Sequence, residues 1–480
     1  MKTGRILTFL FLISGLLPAV FTGPGCANII PPDGGPRDTI PPVMINATPG
    51  DSARHFTGNK IVLSFDEYVD VQNIQENLLV SPLPKSQPVV DFKLKTVTIK
   101  LRDTLEANTT YKLDFGNAVR DYTEGNPIKN LTYIFSTGNY IDSFELKGKV
   151  LLAETGKPDS TLIVMLHTND DDSAVVRDKP RYIAKLDGKG NYIFRNLPNR
   201  TFYLYALKDD GGTRRFFSDK QLFAFASAPI VTSSITPTVN LYAYSTKPPG
   251  TAITNPGLNI GKNRKPQNEV ADKRLKYYTN LTSNQQDLLS DMVITFENPL
   301  RKYDSTGLRL YTDTNFTPVP GYHFQADSTR TKLRMALNWT ENTQYMLVFD
   351  KEFADDSSGR KLLKSDTIQF RTRRKEEYGS LKFIFKELDL AKHPVLQFVT
   401  GDVIYKSYPL KGNEFTSDLF LPGEYDLRLL FDDNSNGVWD PGDFFGKHKQ
   451  PEIVLPFGRN VSIKPGFRNE FDLKAPTPVR

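Results

Sequence analysis

From residue 43 onward, hydrophobic positions recur with period two, in short runs broken by turn residues at intervals of about ten positions. Lys60-Ile-Val-Leu-Ser-Phe65 is one such run. The pattern predicts further strands at Val89–Leu94, Thr96–Leu101, Thr110–Phe115 and Leu131–Thr137. A second group follows at Phe144–Val150, Thr161–His167, Arg181–Leu186, Asn191–Phe194 and Phe202–Leu207, with a closing strand at Leu241–Tyr244. Asp187-Gly-Lys-Gly190 and Asn196-Leu-Pro-Asn199 supply turns between them. Successive side chains of a strand face opposite ways, so each run has one face to bury. Short strands at this spacing predict β-sandwiches.

The pattern then repeats. Residues 106–150 align with 341–385: Asn108-Thr-Thr-Tyr111 with Asn342-Thr-Gln-Tyr345, Arg120-Asp-Tyr122 with Ala354-Asp-Asp356, and Tyr133-Ile-Phe-Ser-Thr137 with Ile368-Gln-Phe-Arg-Thr372. Leu197-Pro198 aligns with Leu421-Pro422, and Leu207-Lys-Asp-Asp210 with Leu430-Phe-Asp-Asp433. The expected fold is all-β, a tandem of four small β-sandwich domains at 43–140, 141–245, 272–374 and 375–480. The last two are a diverged copy of the first pair. Residues 246–271, rich in Pro, Gly, Asn and Lys, read as a linker. Two copies are too few for a solenoid.

The N-terminus breaks the alternation. Lys2 and Arg5 precede an apolar stretch, Ile6–Phe21, and then Thr22-Gly-Pro-Gly-Cys26. A short apolar segment with a basic flank and small residues before the cut predicts an export signal over 1–25 rather than a membrane span. Cys26 is the only cysteine in the chain. At this position it is expected to be the lipidated first residue of a mature lipoprotein. Gly25 suits that reading, while Gly23 stands where an apolar residue is usual. A cysteine carrying a diacylglycerol has two chains, enough for a firm anchor where one is marginal. Residues 26–42 are a Pro/Gly-rich tether, unable to build a helix or a central strand.

Composition narrows the function. The hydrophobic share of 39% and charged share of 24% are ordinary for a globular protein. The net charge of +6 falls to +4 when Lys2 and Arg5 leave with the signal, and it is spread evenly. Nucleic-acid binding, which wants a concentrated basic face, is not expected. Once Cys26 is acylated, no thiol is left for a disulfide, a metal site or a nucleophile.

One loop carries metal chemistry. Counted from Asp432, oxygen side chains fall at Asp432, Asn434, Asn436, Asp440 and Asp443, with Gly437 at the bend and the Val438 carbonyl available. Hard oxygens in that order suit Ca²⁺. Asp443 stands where a longer Glu is usual, which lowers the expected affinity. The alternative is an Asx-rich turn bonded to its own backbone. Arg214, Arg215, Phe216 and Phe217 form the best candidate for an exposed partner patch, with Phe223 and Phe225 beside them. The five histidines are dispersed. The carboxylate pairs Asp66-Glu67 and Glu376-Glu377 are sequence neighbours, which a strand points to opposite faces. No catalysis is expected.

The residues also carry a resemblance. Pro41-Pro42, Thr48-Pro49, the Ile61-Val-Leu-Ser-Phe-Asp66 strand, Asn108-Thr-Thr-Tyr111, the Asp121–Gly125 loop and Phe135-Ser-Thr137 resemble a bacterial, surface-layer-type Ig-like domain. The leader from Cys26-Ala27 through Pro32-Asp-Gly-Gly-Pro-Arg-Asp-Thr39 resembles that of a Bacteroidota lipoprotein group. The second unit is similar to prealbumin-like sandwiches. The resemblance implies outer-membrane attachment and an adhesive or scaffolding role without a reaction. It also implies O-glycosylation at Asp-Ser/Thr-apolar triplets, with Thr39 and Ser52 the foremost sites. The expectation is a non-catalytic outer-membrane lipoprotein that binds or scaffolds an outer-membrane protein or assembly complex. The alternative is a glycan-binding surface lipoprotein of a nutrient-uptake system. A hydrolase built from distant carboxylates is a third class. Which face of the outer membrane carries the chain stays open, since Ala27–Pro32 holds no acid and Asp33 is isolated.

Overall fold

The computed structural model describes residues 37–233, 238–246, 274–312 and 315–478. The export signal, Cys26, most of the tether and nearly all of the 246–271 linker lie outside them. The chain divides into two compact units, one drawn from residues before Tyr140 and the other chiefly Tyr140–Arg480.

The first unit is one sandwich. One sheet orders Met44–Thr48, Lys60–Phe65, Thr96–Lys100 and Val89–Lys93; the other orders Leu79–Ser81, Thr110–Gly116 and Leu131–Ser136. Alternation sets the core. Ile61, Leu63 and Phe65 from the first sheet meet Leu113, Phe115, Tyr133 and Phe135 from the second. Each such burial contributes roughly 1.5–3 kcal/mol. A two-stranded ribbon, Val69–Val71 with Val119–Asp121, closes one end. Asp121 is buried there, and its carboxylate takes the amides of Thr123 and Glu124 at 2.9 Å each.

The second unit contains three sandwiches. Its 274–372 portion repeats the layout of the first sandwich, with two short strands, Gln285–Gln286 and Thr317–Pro318, added to the second sheet. Tyr277–Thr279, Met292–Phe296, Lys332–Ala336 and His323–Ala326 form one sheet, and Leu308–Thr312, Gln344–Phe349 and Asp366–Thr372 the heart of the other. The ribbon is Leu300–Tyr303 with Ala354–Asp356. It corrects the sequence alignment by one residue. Val69 opposes Asp121 and Leu300 opposes Asp356, so Asp356 rather than Asp355 is the counterpart of Asp121. Asp356 does the same work, taking the amides of Ser358 and Arg360 at 2.9 Å. The slip arose because two aspartates stand side by side and only register separates them. Asn108 and Asn342 share positive φ, 49° and 51°, which asparagine tolerates better than most residues.

The second and fourth sandwiches also share a topology. In the second, Asn191–Leu197, Phe144–Leu152 and Val239–Ala243 form one sheet; Tyr182–Lys185, Leu162–His167, Thr201–Lys208 and Phe223–Phe225 form the other. In the fourth, Glu414–Phe420, Gly379–Lys386 and Arg468–Lys474 correspond to the first of these. Val403–Pro409, Pro394–Thr400, Gly423–Phe431 and Ile453–Ile463 correspond to the second. Both copies pair their first strand with their last in parallel.

Candidate functional site

The fourth sandwich's strand Gly423–Phe431 runs into the loop over 432–452, which then enters Ile453–Ile463. Asp432 is buried, and its carboxylate takes the amides of Asn436 at 3.2 Å and Gly437 at 2.6 Å. Asn434 accepts from the Asn436 amide and Asn436 from the Val438 amide, each two residues on. Both side-chain amides donate to Asp440 Oδ2, that of Asn436 at 2.8 Å. These are Asx turns closing the loop on itself. Glu452, which sequence reasoning missed, supports the loop from behind. It is fully buried; Oε1 takes the Asp433 amide at 3.0 Å and Oε2 the Asp440 amide at 2.9 Å. Burial pushes its pKa above the ordinary carboxylate value, against the Asp440 amide, and the charges of Asp432 and Asp440 push the same way as burial.

Asp443, predicted as the last ligand, stands apart. Its backbone exchanges two hydrogen bonds with Lys449 at 2.8 Å, and its carboxylate lies 3.8 Å from Lys447. The donor chemistry of Asp432, Asn434, Asn436, Asp440 and the Val438 carbonyl suits a hard cation. Yet among the described residues no group of three or more His, Cys, Asp or Glu is arranged to hold a metal.

Beyond Gly442 the loop crosses to the second sandwich. There the outer face of the sheet carries Met165, His167, Tyr205, Leu207, Phe223 and Phe225, all buried although they point away from that sandwich's own core. Phe444 fills this face. Its ring lies 4.9 Å from Phe225, 5.3 Å from Phe223 and 5.7 Å from Tyr205. Phe445 packs on Phe216 at 5.4 Å. Polar bonds fix the edges: Gln450 Nε2 donates to the Phe225 carbonyl at 3.0 Å and Val454 N to the Ala153 carbonyl at 2.8 Å. His448 Nε2 meets Asp172 Oδ2 at 2.7 Å, and Lys157 meets Asp402 at 2.7 Å. Gly442 is required by closeness, since a Cβ there would stand 2.7 Å from the Tyr244 ring. Trp439 anchors the other side of the loop. It packs on Val395, Leu430 and Val454 and donates to the Glu452 carbonyl at 2.7 Å.

The predicted partner patch is therefore corrected. Phe223 and Phe225 are buried in this seam, and Phe216 packs between Phe223 and Phe445. Arg214 is held by its amide on Asp209, and Arg215 Nε is buried. Phe217 alone keeps the expected exposure, at 64%. Alternation had marked these phenylalanines as core or surface without saying which, and a second sandwich supplied the cover. His167 shares the burial, its ring edge-on to Tyr205 at 5.6 Å, and desolvation lowers its pKa to about 4. Thr39 and Ser52 are exposed. Their neighbouring aspartates hold backbone, Asp38 the amide of Ile40 and Asp51 that of Ile134.

No curated protein matches this chain in sequence. Among solved structures, the chain is similar to a fragment of Escherichia coli alpha-2-macroglobulin, at 12% identity over 39% of this chain and 72% of that one, with a TM-score of 0.20. It is similar to the TIE protein of Bacillus anthracis at 10% identity, over 92% and 76% of the two chains, TM-score 0.17. It is also similar to BcpA, the major pilin subunit of Bacillus cereus, at 7% identity over 69% and 99%, TM-score 0.17. Likenesses this distant bear on no function. Residues 38–137 match the family model described as a bacterial Ig-like domain, which makes the first sandwich one of that kind.

Proposed function

We propose that this chain is a non-catalytic outer-membrane lipoprotein of a Bacteroidota cell, anchored through Cys26, that serves as a binding or scaffolding subunit for an outer-membrane protein or assembly complex. The observation that carries this reading is the seam. A scaffold must hold its surfaces at fixed spacing, and the 432–452 loop joins two sandwiches through an aromatic plug and two polar bonds, with Val454 and Asp402 of the same sandwich adding two more. A lipid anchor and a short tether would concentrate such a body beside membrane neighbours. In the same proposal the Asp432–Asp440 loop takes Ca²⁺ as a structural ligand. Extraction of the native protein in mild detergent tests the role: a stable outer-membrane partner is expected to co-purify. The reading fails if the protein runs alone and its deletion leaves outer-membrane composition unchanged.

A second reading, glycan binding, is favoured by two clefts on the third sandwich, of about 490 and 470 Å³, which share Val293 and Arg334. Asn280, Asp291, Gln325 and Lys332 supply hydrogen-bonding groups along them. Retention on a polysaccharide column that Arg334→Ala abolishes would support this reading; passage of the parent protein unretained would end it.

A further inference from the structure

At one end of the first sandwich, five large apolar side chains stand in solvent: Ile40, Val43, Tyr68, Leu94 and Tyr122. Hydrogen bonds gather them. The Val43 carbonyl accepts from the Asp66 amide at 3.1 Å, and the Asp66 carboxylate takes the Val43 amide. The Leu94 carbonyl accepts from Val69 at 3.0 Å, and the Tyr68 carbonyl from Tyr122 at 3.1 Å. The last bond prolongs the antiparallel ribbon in which Val69 opposes Asp121. Opposed residues of such a pair share a face, so Tyr68 and Tyr122 stand side by side. Lys95 lies 5.7 Å from the Tyr68 ring centre. Asn126 Nδ2 donates to the carbonyls of Asp38 and Ile40, and Arg37 to that of Glu124. The first described residues thus cross this same end.

Two observations point to what covers it. Only residues 27–36 separate Cys26 from Arg37, and fully extended they reach roughly 30 Å. An acylated Cys26 would hold this end of the sandwich, rather than the body as a whole, within that distance of the bilayer. The side chains themselves are those of a membrane interface: tyrosine rings amphipathic enough for the headgroup layer, with aliphatic groups beside them. Clustered exposed apolar side chains on a soluble domain commonly mark an interaction site. Asp38, Asp66 and Glu67 rim the patch, and their charge selects against an anionic surface.

We propose that Val43, Tyr68, Leu94 and Tyr122 dock the first sandwich onto a zwitterionic phospholipid surface. The idea rests on the lipid-anchor reading above, but its test does not. The chain from residue 27, carrying Tyr122→Trp and an N-terminal hexahistidine tag in place of the lipid, is held on phosphatidylcholine vesicles with a small fraction of nickel-chelating lipid. Brominated acyl chains quench only an indole that enters the bilayer. Emission from Trp at 122, above the constant background of Trp339 and Trp439, is expected to fall about twofold on brominated vesicles, as for a ring at interfacial depth. Trp introduced by Tyr278→Trp in the third sandwich is expected to be unaffected. Adding Tyr68→Ser and Leu94→Ser is expected to restore the emission. Unquenched Trp at 122 on vesicle-bound chain overturns the proposal, including the case where the patch captures a protein instead. Failure of the natural chain to incorporate labelled palmitate overturns the anchor alone, and the vesicle result then stands or falls by itself.

Discussion

In the second sandwich the strand Thr201–Lys208 ends at Asp209, whose carboxylate takes the amide of Arg214 at 3.0 Å and lies within reach of the Thr213 hydroxyl. In the fourth, Gly423–Phe431 ends at Asp432, whose carboxylate takes the amides of Asn436 and Gly437. An acid at the same strand end closes both loops, by the same bond. What differs is the continuation. The first loop returns directly to Phe223–Phe225, while the second travels out with Trp439 and Phe444 before it returns. The duplicated strands kept the fold, and the difference between copies is concentrated in the segment that joins them. One copy became the plug and the other the socket.

The comparison breaks most visibly at Phe444. Phe444→Ala removes the buried ring that packs on Tyr205, Phe223 and Phe225 together and is expected to cost about 3–5 kcal/mol. Urea unfolding should show it, and protease should then cut between the second and fourth sandwiches; an unchanged midpoint would mean the seam contributes nothing. His167 tests the socket without touching the plug. Unfolded, the ring takes a proton at its ordinary 6.5; buried, it does so only near 4. Stability is therefore complete above pH 6.5 and is lost as pH falls toward 4, by on the order of 3 kcal/mol. His167→Phe keeps a ring edge-on to Tyr205 and should flatten that slope; the same slope in the variant would assign it elsewhere.

The two capping acids sharpen the comparison on a smaller scale. Asp432→Ala removes a buried carboxylate and takes the Gly437 amide's partner away, and should cost about 1–3 kcal/mol. Asp209→Ala, in a half-exposed loop, should cost less than Asp432→Ala in the same thermal melts. Ca²⁺ is expected to raise the melting temperature of the parent and not of Asp432→Ala. A parent indifferent to Ca²⁺ would leave the loop a self-bonded turn. Smallest of all is His448→Ala: the pair with Asp172 is more than half exposed on the histidine side, so a loss of about 0.2–1 kcal/mol is expected. A loss as large as that of Phe444→Ala would show that the polar rim rather than the ring carries the seam.

The strands were legible because burial on one face writes itself as alternation. Lys60–Phe65 and the parallel-paired closing strand of the second sandwich fall where the pattern puts them, within a residue or two. The seam was not legible. Leu162–His167 is buried on both faces, so its sequence reads as a core strand without revealing that a second sandwich covers it. Asp443 follows a calcium-loop spacing, but spacing assumes the chain keeps curling, and the backbone pair of Asp443 with Lys449 holds it in a bridge instead. Glu452 lies twelve residues beyond Asp440, outside any local motif. Its one signal was a charge set against the wholly buried Ile453-Val454-Leu455 at the start of a strand.

Gln450 meets Phe225 across 225 residues of chain. A protein made from its N-terminus finishes the second sandwich long before Phe444 exists. For that interval Tyr205, Phe223 and Phe225 form a bare, sticky sheet face, the kind of surface that aggregates when left waiting. The order of synthesis thus makes the unfinished socket the surface most exposed to misassembly until the chain's own last domain arrives.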